Sequence, residues 1–227
     1  MDVLNRGSIK EEKENNSSLK QTAITIIILD WDDTCIPSFW LQDVNRYLNA
    51  EEIEDFVTIS KLVISIINQA KEYAHVIIVT NAQEDWVQTS CKNYLPSLFP
   101  YISKIPIVSA YERYSNLYKY SSQWKLAAFY HETINYIRSN AKVNIVSIGD
   151  SDAEFIAVNS LKKVLPTDLN TQLITKGIKL IERPTPKLLI QELEIIHKNL
   201  KEIVDIDESI NQKITASLIP TNPSSFV

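Results

Sequence analysis

The sequence predicts an α/β fold in which a parallel sheet is covered by helices on both faces. Three observations carry that expectation. Short apolar runs rich in β-branched residues recur at residues 24–29, 76–79, 105–108, 143–148 and 178–181. Several are continuously apolar rather than alternating, the pattern of strands buried on both sides. Longer segments of helical periodicity separate them, and such alternation implies parallel strands joined by right-handed crossovers.

Taken in order, residues 1–22 come first and are polar, with Glu11, Glu12, Lys13, Glu14, Asn15, Asn16, Ser17 and Ser18 in succession. They are expected to form a flexible arm. After the first strand, Phe56, Ile59, Val63, Ile66, Ile67 and Ala70 recur at helical spacing and mark one buried face. A second helix is expected over 84–96, with Trp86, Val87, Cys91 and Tyr94 inward. A third is expected over 123–139, just before the fourth strand. Thr185 and Pro186 read as a cap and a first-turn proline. They open a last helix whose stripe is Leu189, Leu193, Ile196, Leu200 and Ile203. The globular domain is expected to span 23–210, followed by a loose tail over 211–227 that contains Pro220 and Pro223.

The 227 residues suit one such domain with its tails. A hydrophobic share of 44% against 22% charged residues excludes a wholly disordered chain. The net charge of −5 and a pI near 5.3 provide no electrostatic footprint for nucleic acid. Cys35 and Cys91 are the only cysteines, and they form neither a zinc spacing nor a disulfide framework, which suggests a reducing compartment. Residues 1–22 hold no apolar leader, and the apolar run at 24–29 is too short to span a bilayer. A soluble, cytoplasmic protein with no nucleic-acid or membrane partner is the expectation.

Ligands of parallel α/β folds sit beyond the carboxyl ends of the strands, so the chemistry is sought there. Asp30-Trp31-Asp32-Asp33-Thr34 directly follows the first strand. Two carboxylates two residues apart can enter one pocket, where they repel unless a cation offsets them. Mg²⁺, a hard ion that takes oxygen ligands, fits that need. The plainer alternative is a solvated acidic turn.

Gly149-Asp150-Ser151-Asp152-Ala153-Glu154 follows the fourth strand in the same way. Only three glycines occur in the chain, so one at a strand end is expected to serve backbone geometry. Asp150 adds a carboxylate to this edge and Glu154 another, one helical turn later. An ordinary helix cap at Ser151 or Asp152 is the alternative. Thr80 and Asn81 follow the second strand, where a capping threonine would suffice. Lys125 stands near the start of the third helix, where a lone lysine is usually a solvated charge.

The four segments form an ordered set: Asp-x-Asp-x-Thr, then Thr80, then Lys125, then Gly149-Asp150 with a downstream acid. That set resembles the signature of the haloacid dehalogenase superfamily, over roughly residues 24–182. Pro37-Ser38-Phe39-Trp40, Trp86-Val87, Ala128-Phe129 and Glu182-Arg183-Pro184-Thr185-Pro186 add a narrower resemblance to a eukaryotic branch found in protists and plants.

The resemblance implies a Rossmann-like sheet and a Mg²⁺-dependent phosphatase working through an aspartyl phosphate. Asp30 would attack phosphorus. Asp32 would protonate the leaving oxygen and then activate water. Thr80 and Lys125 would hold the transferring oxygens, with Asn81 on the same substrate-binding edge. Asp30, Asp150 and the backbone carbonyl of Asp32 would bind the metal, with Glu154 orienting a water on the ion. Glu154 stands where aspartate is commoner, and Asp152 is an alternative for its duty. Superfamily members with phosphonatase or dehalogenase activity generally lack the second aspartate, so Asp32 favours phosphate esters.

Other candidates read as structural. Cys35 has no neighbouring base, and His75, His131 and His197 are scattered. Trp31, Trp40, Trp86 and Trp124 read as packing residues, although Trp31 could border the substrate. Neither 35–74 nor 82–123 has room for a large cap domain, so a nearly capless, open site is expected. Within the superfamily such sites often take phosphoproteins, which stand beside small phosphate esters as expected substrates. Two other classes remain as alternatives, a scaffold protein without useful turnover and a phosphoacceptor switch.

Overall fold

The computed structural model describes residues 23–43, 47–167 and 169–215. The expected arm at 1–22 and the last part of the expected tail, 216–227, lie outside the described residues. The elements begin with β1 (Ala23–Leu29), α1 (Ser38–Asp43), α2 (Ala50–Lys71) and β2 (His75–Thr80). Next come α3 (Glu84–Tyr94), α4 (Phe99–Ile102), β3 (Ile107–Ser109), α5 (Ala110–Tyr114) and α6 (Ser121–Ser139). The chain continues with β4 (Lys142–Gly149), α7 (Asp152–Val164), β5 (Gln172–Lys179), α8 (Pro186–Asp205) and β6 (Ile210–Lys213).

The six strands form one sheet in the order β3-β2-β1-β4-β5-β6, and every neighbouring pair is parallel. The chain is therefore an α/β protein with a Rossmann-like sheet, as its alternating pattern predicts. Successive residues of the central strands serve opposite faces. Ile27 and Leu29 of β1, Ile78 of β2, and Val146 and Ile148 of β4 join the core under α2 and α8. Ile26 and Ile28, Ile77 and Val79, and Val143 and Ile145 join the core under α5, α6 and α7. Two buried faces explain why these strands are apolar without interruption.

The α2 face is the one expected, with Phe56, Ile59, Val63, Ile66, Ile67 and Ala70 all buried. Each of the larger side chains among them contributes on the order of 2 kcal/mol through burial. Asn49 caps this helix, taking the Glu52 N–H while the Glu52 carboxylate takes its own. In α3, Val87 and Cys91 are buried while Trp86 and Tyr94 are half-buried. Thr185 caps α8 by accepting from Leu188 N–H, and Pro186 opens the helix. Its buried stripe ends at Val204, whereas Ile203 is half-buried.

Three strands depart from the expectation, the third running over Ile107–Ser109 rather than 105–108. The fifth runs over Gln172–Lys179 rather than 178–181. Lys176 and Lys179 hide it from a hydropathy reading, yet both are buried. The Lys176 amine donates to Val204 O at 2.8 Å, and that of Lys179 to Asp150 O at 2.6 Å. β6 extends the sheet past residue 210, into the segment expected to be tail, and Ile214 beyond it is buried. Among the described residues no helix is long and apolar enough to cross a membrane.

Glu192 lies on the buried face of α8. One carboxylate oxygen accepts from Ile181 N–H at 2.6 Å, and the other, Oε2, has no partner. Burial pushes its pKa up to about 7, opposed by the Ile181 hydrogen bond and reinforced by the charge of Asp150. A carboxyl raised from 4.5 contributes stability that is whole below pH 4.5 and declines as pH rises to about 7. The decline is at most about 3 kcal/mol. Glu192→Gln keeps an acceptor for Ile181 and cannot ionise. Without divalent ions, the variant is expected to match wild type in urea unfolding near pH 4.5 and exceed it at pH 8. Equal midpoints at pH 8 would show that the ionised carboxylate costs the fold nothing.

Candidate active site at the carboxyl ends of β1 and β4

β1 and β4 lie side by side with Leu29 opposite Ile148, so the chains leaving them emerge as neighbours. Asp30 N–H donates to Ile148 O at 2.9 Å, which carries the pairing one residue past the strand. A tight turn follows. Cys35 N–H donates to Trp31 O at 2.8 Å, and Asp33 N–H to Ile36 O at 2.8 Å. Asp33 adopts φ 51°, a left-handed conformation that aspartate tolerates better than most residues. Its Oδ1 accepts from Phe39 N–H at 2.9 Å.

Trp31 points away from this edge. It is fully buried, and its indole N–H donates to Ser90 Oγ at 2.9 Å. It is a core residue that ties the turn to α3, and it does not border the site. Cys35 is buried as well, with its thiol against Asp30 O at 3.3 Å. Burial, followed by the neighbouring charge of Asp30, pushes that thiol's pKa far up, so it behaves as an inert filler.

Lys125, one turn into α6, is completely buried rather than solvated. Its ammonium group lies 2.7 Å from Asp30 Oδ1, 2.6 Å from Val79 O and 2.7 Å from Glu154 Oε1. An ammonium has three hydrogens, and these three acceptors use them all. Burial acts against its charge, but Asp30 and Glu154 outweigh burial and hold its pKa above the usual value. Lys125 therefore fixes the orientation of Asp30 and brings a permanent positive charge.

Glu154 reaches this point because β4 ends in glycine. A Cβ on Gly149 would stand 2.8 Å from Glu154 Cγ, inside any normal contact. The glycine is needed for this close approach and not for a left-handed backbone, since no glycine in the described chain has positive φ. Ser151 caps α7 by accepting from Ala153 N–H at 3.1 Å, and its hydroxyl also donates to Glu154 Oε2. Asp152 is exposed and faces Lys179 at 3.5 Å, so the structure brings in Glu154 and leaves Asp152 out. Lys179 braces the same turn, joining Asp150 O to Glu182 Oε1 at 2.7 Å.

Asp30, Asp150 and Glu154 each offer an oxygen to one point, the three lying within 4.8 Å of one another. Burial lifts the pKa of Asp30 well above the ordinary value; Lys125 opposes the rise, and Glu154 and Asp150 add to it. Asp150 is pushed up to about 7, again by burial first and then by Glu154. For Glu154 the charge and hydrogen bond of Lys125, helped by Ser151, overcome burial and hold its pKa below normal. Three carboxylates against one ammonium leave two negative charges uncompensated when all are ionised. A divalent cation supplies that charge, and an all-oxygen donor set suits Mg²⁺. The residues present therefore fit the ion.

Thr80 is fully buried at the end of β2, where its Oγ1 accepts from Ala82 N–H at 3.0 Å. That is the local turn role open to any threonine at this place. Asn81 beside it is half-buried, and its Oδ1 is shielded without a hydrogen-bond partner. Asp32 turns toward an open cavity of about 500 Å³ bordered by Asp33, Phe39, Gln42, Gln83 and Trp86. Trp86 is more than a packing residue, because its indole N–H donates to Asp32 Oδ1 at 2.8 Å. A larger cavity, about 550 Å³, opens at the amino ends of the strands beside Thr25 and Asn144. It lies away from the converging carboxylates, and its Lys142 pairs with Asp207 at 2.5 Å.

Comparison with models of known protein families gave no match, and comparison with curated proteins gave none either.

Proposed function

We propose that this chain is a Mg²⁺-dependent phosphohydrolase of the haloacid dehalogenase superfamily, nearly capless, that cleaves phosphate monoesters through an aspartyl phosphate on Asp30. The observation that carries the reading is the convergence of Asp30, Asp150 and Glu154 around the buried Lys125. Burying four ionisable groups together is costly, and such arrangements concentrate at functional sites.

The ion would be held by Asp30, Asp150 and Glu154, where it supplies positive charge that keeps the carboxylates ionised and draws in an anionic phosphate. The covalent steps belong to the chain. An Asp30 oxygen attacks phosphorus, the ester P–O bond breaks, and Asp32 gives its proton to the departing oxygen. Water then attacks the phosphoryl group and loses a proton to Asp32 as the bond to Asp30 breaks. Inorganic phosphate leaves, and both aspartates return to their starting forms. Thr80 would donate to a phosphoryl oxygen, and Asn81 lies next to it on the approach. With every hydrogen engaged, Lys125 would act by charge and by orienting Asp30, unless it exchanges one partner for the substrate.

The approach to Asp32 is open, and α2 belongs to the layer covering the sheet rather than to a separate cap. That favours bulky substrates such as phosphoproteins alongside small esters. Release of phosphate from p-nitrophenyl phosphate and from phosphopeptides is expected to require Mg²⁺. Chelation should remove the activity and added Mg²⁺ restore it. Undiminished turnover in excess chelator, with bound metal measured and absent, would contradict this metal site.

A further inference from the structure

We propose that Trp86 is a positioning residue for Asp32, assigning one carboxylate oxygen to anchorage and leaving the other for proton transfer. The inference rests on the phosphohydrolase reading and deepens it. An indole N–H is a donor and never an acceptor. Its hydrogen bond to Asp32 Oδ1, at 2.8 Å, therefore favours the lone pairs of that oxygen over a proton there. When Asp32 holds the proton it must give to the leaving group, the proton resides on Oδ2.

Trp86 is itself held from a second direction. Its backbone carbonyl accepts from Ser90 Oγ at 2.6 Å, and Ser90 Oγ accepts from the Trp31 indole at 2.9 Å. Trp31 stands between Asp30 and Asp32 in the chain, so nucleophile, acid–base group and α3 are linked in one closed path. Loop residues alone would leave the half-buried Asp32 carboxylate free to rotate beside an open cavity. The indole removes that freedom without using a charge, which would favour the ionised carboxylate over the protonated form needed for the leaving group.

The test is a double-mutant cycle on p-nitrophenyl phosphate and a phenyl phosphate, joined to a spectroscopic measurement. Trp86→Phe keeps the ring and removes the N–H. It is expected to lower kcat on the order of tenfold to a hundredfold with KM little changed, the cost of a misplaced catalytic group. In an Asp32→Asn background the same change should do almost nothing further, since there is no proton transfer left to orient. The Trp86 indole N–H resonance, assigned by its loss in Trp86→Phe, should move in Asp32→Ala.

Equal losses from Trp86→Phe in both backgrounds, with wild type active, would overturn the positioning role and leave the phosphohydrolase reading standing. An indole resonance unmoved by Asp32→Ala would overturn the contact itself, whatever the turnover. A resonance that moves in Asp32→Ala, beside a wild type that releases no phosphate, would overturn the hydrolase reading and the catalytic use of Trp86 with it.

Discussion

Asparagine at position 30 is expected to abolish phosphate release, by at least about a thousandfold, while leaving the fold intact. Asp30 is held between the buried ammonium of Lys125 and the end of β1, and an amide in its place has no anionic oxygen to attack phosphorus. The shape of the site should survive. Asparagine retains an oxygen for the Lys125 amine, and Lys125 keeps Glu154 and Val79 O as partners. The change also removes one of three mutually repelling carboxylates, whose burial holds the Asp30 pKa well above normal. The thermal midpoint measured in chelator is therefore expected to hold steady or rise. In Mg²⁺ the gain in stability from the ion should shrink, because one of its three oxygens has become a weaker neutral ligand. Phosphate release within a few-fold of wild type would remove Asp30 as nucleophile. An unfolded variant would instead mean that the pair with Lys125 holds the fold together.

The middle of the sheet was legible in the sequence because β1, β2 and β4 are buried on both faces and so carry unbroken apolar runs. The edge was not. β5 contains Lys176 and Lys179, whose stems lie inside while their amines end on carbonyl oxygens, and hydropathy counts only the charge. β6 has the sequence Ile-Asn-Gln-Lys, and its residues are mostly exposed, so only pairing with β5 makes it a strand.

The site divides in the same way. Asp30 and Asp150 could be placed because they directly follow two neighbouring parallel strands. The choice between Asp152 and Glu154 could not be made until the start of α7 was known. With Ser151 as its cap, the helix directs position 154 back over Gly149 and position 152 outward. Trp86 and Glu192 were missed for a different reason. Trp86 acts on a carboxylate 54 residues away, and the only local signal was an aromatic on a helix face. Glu192 reads as one polar residue among several on α8, and only burial against Ile181 gives it a raised pKa.

Asp32 separates an enzyme from a phosphoacceptor switch, since a switch needs a long-lived aspartyl phosphate and an acid–base group shortens its life. Asp32→Asn is a clean probe because the amide keeps an oxygen for the Trp86 indole, so geometry survives while proton transfer is lost. General acid–base groups contribute on the order of 10²–10⁴-fold, and the loss should fall unequally on the two steps. With p-nitrophenyl phosphate the departing phenolate needs no proton, so formation of the intermediate should suffer little. Its hydrolysis does need a base to activate water and should slow by most of that factor. Phosphorylated Asp30 should then accumulate to near one equivalent per chain and be recovered by rapid acid quench and mass spectrometry. A substrate with an alkyl leaving group should behave in the opposite way, slowing at the first step and accumulating nothing. An Asp32 that only shapes the turn would shift the unfolding midpoint and leave both steps alike. Equal intermediate lifetimes in the folded variant and the wild type would take Asp32 out of the mechanism and restore the switch as the better account of the site.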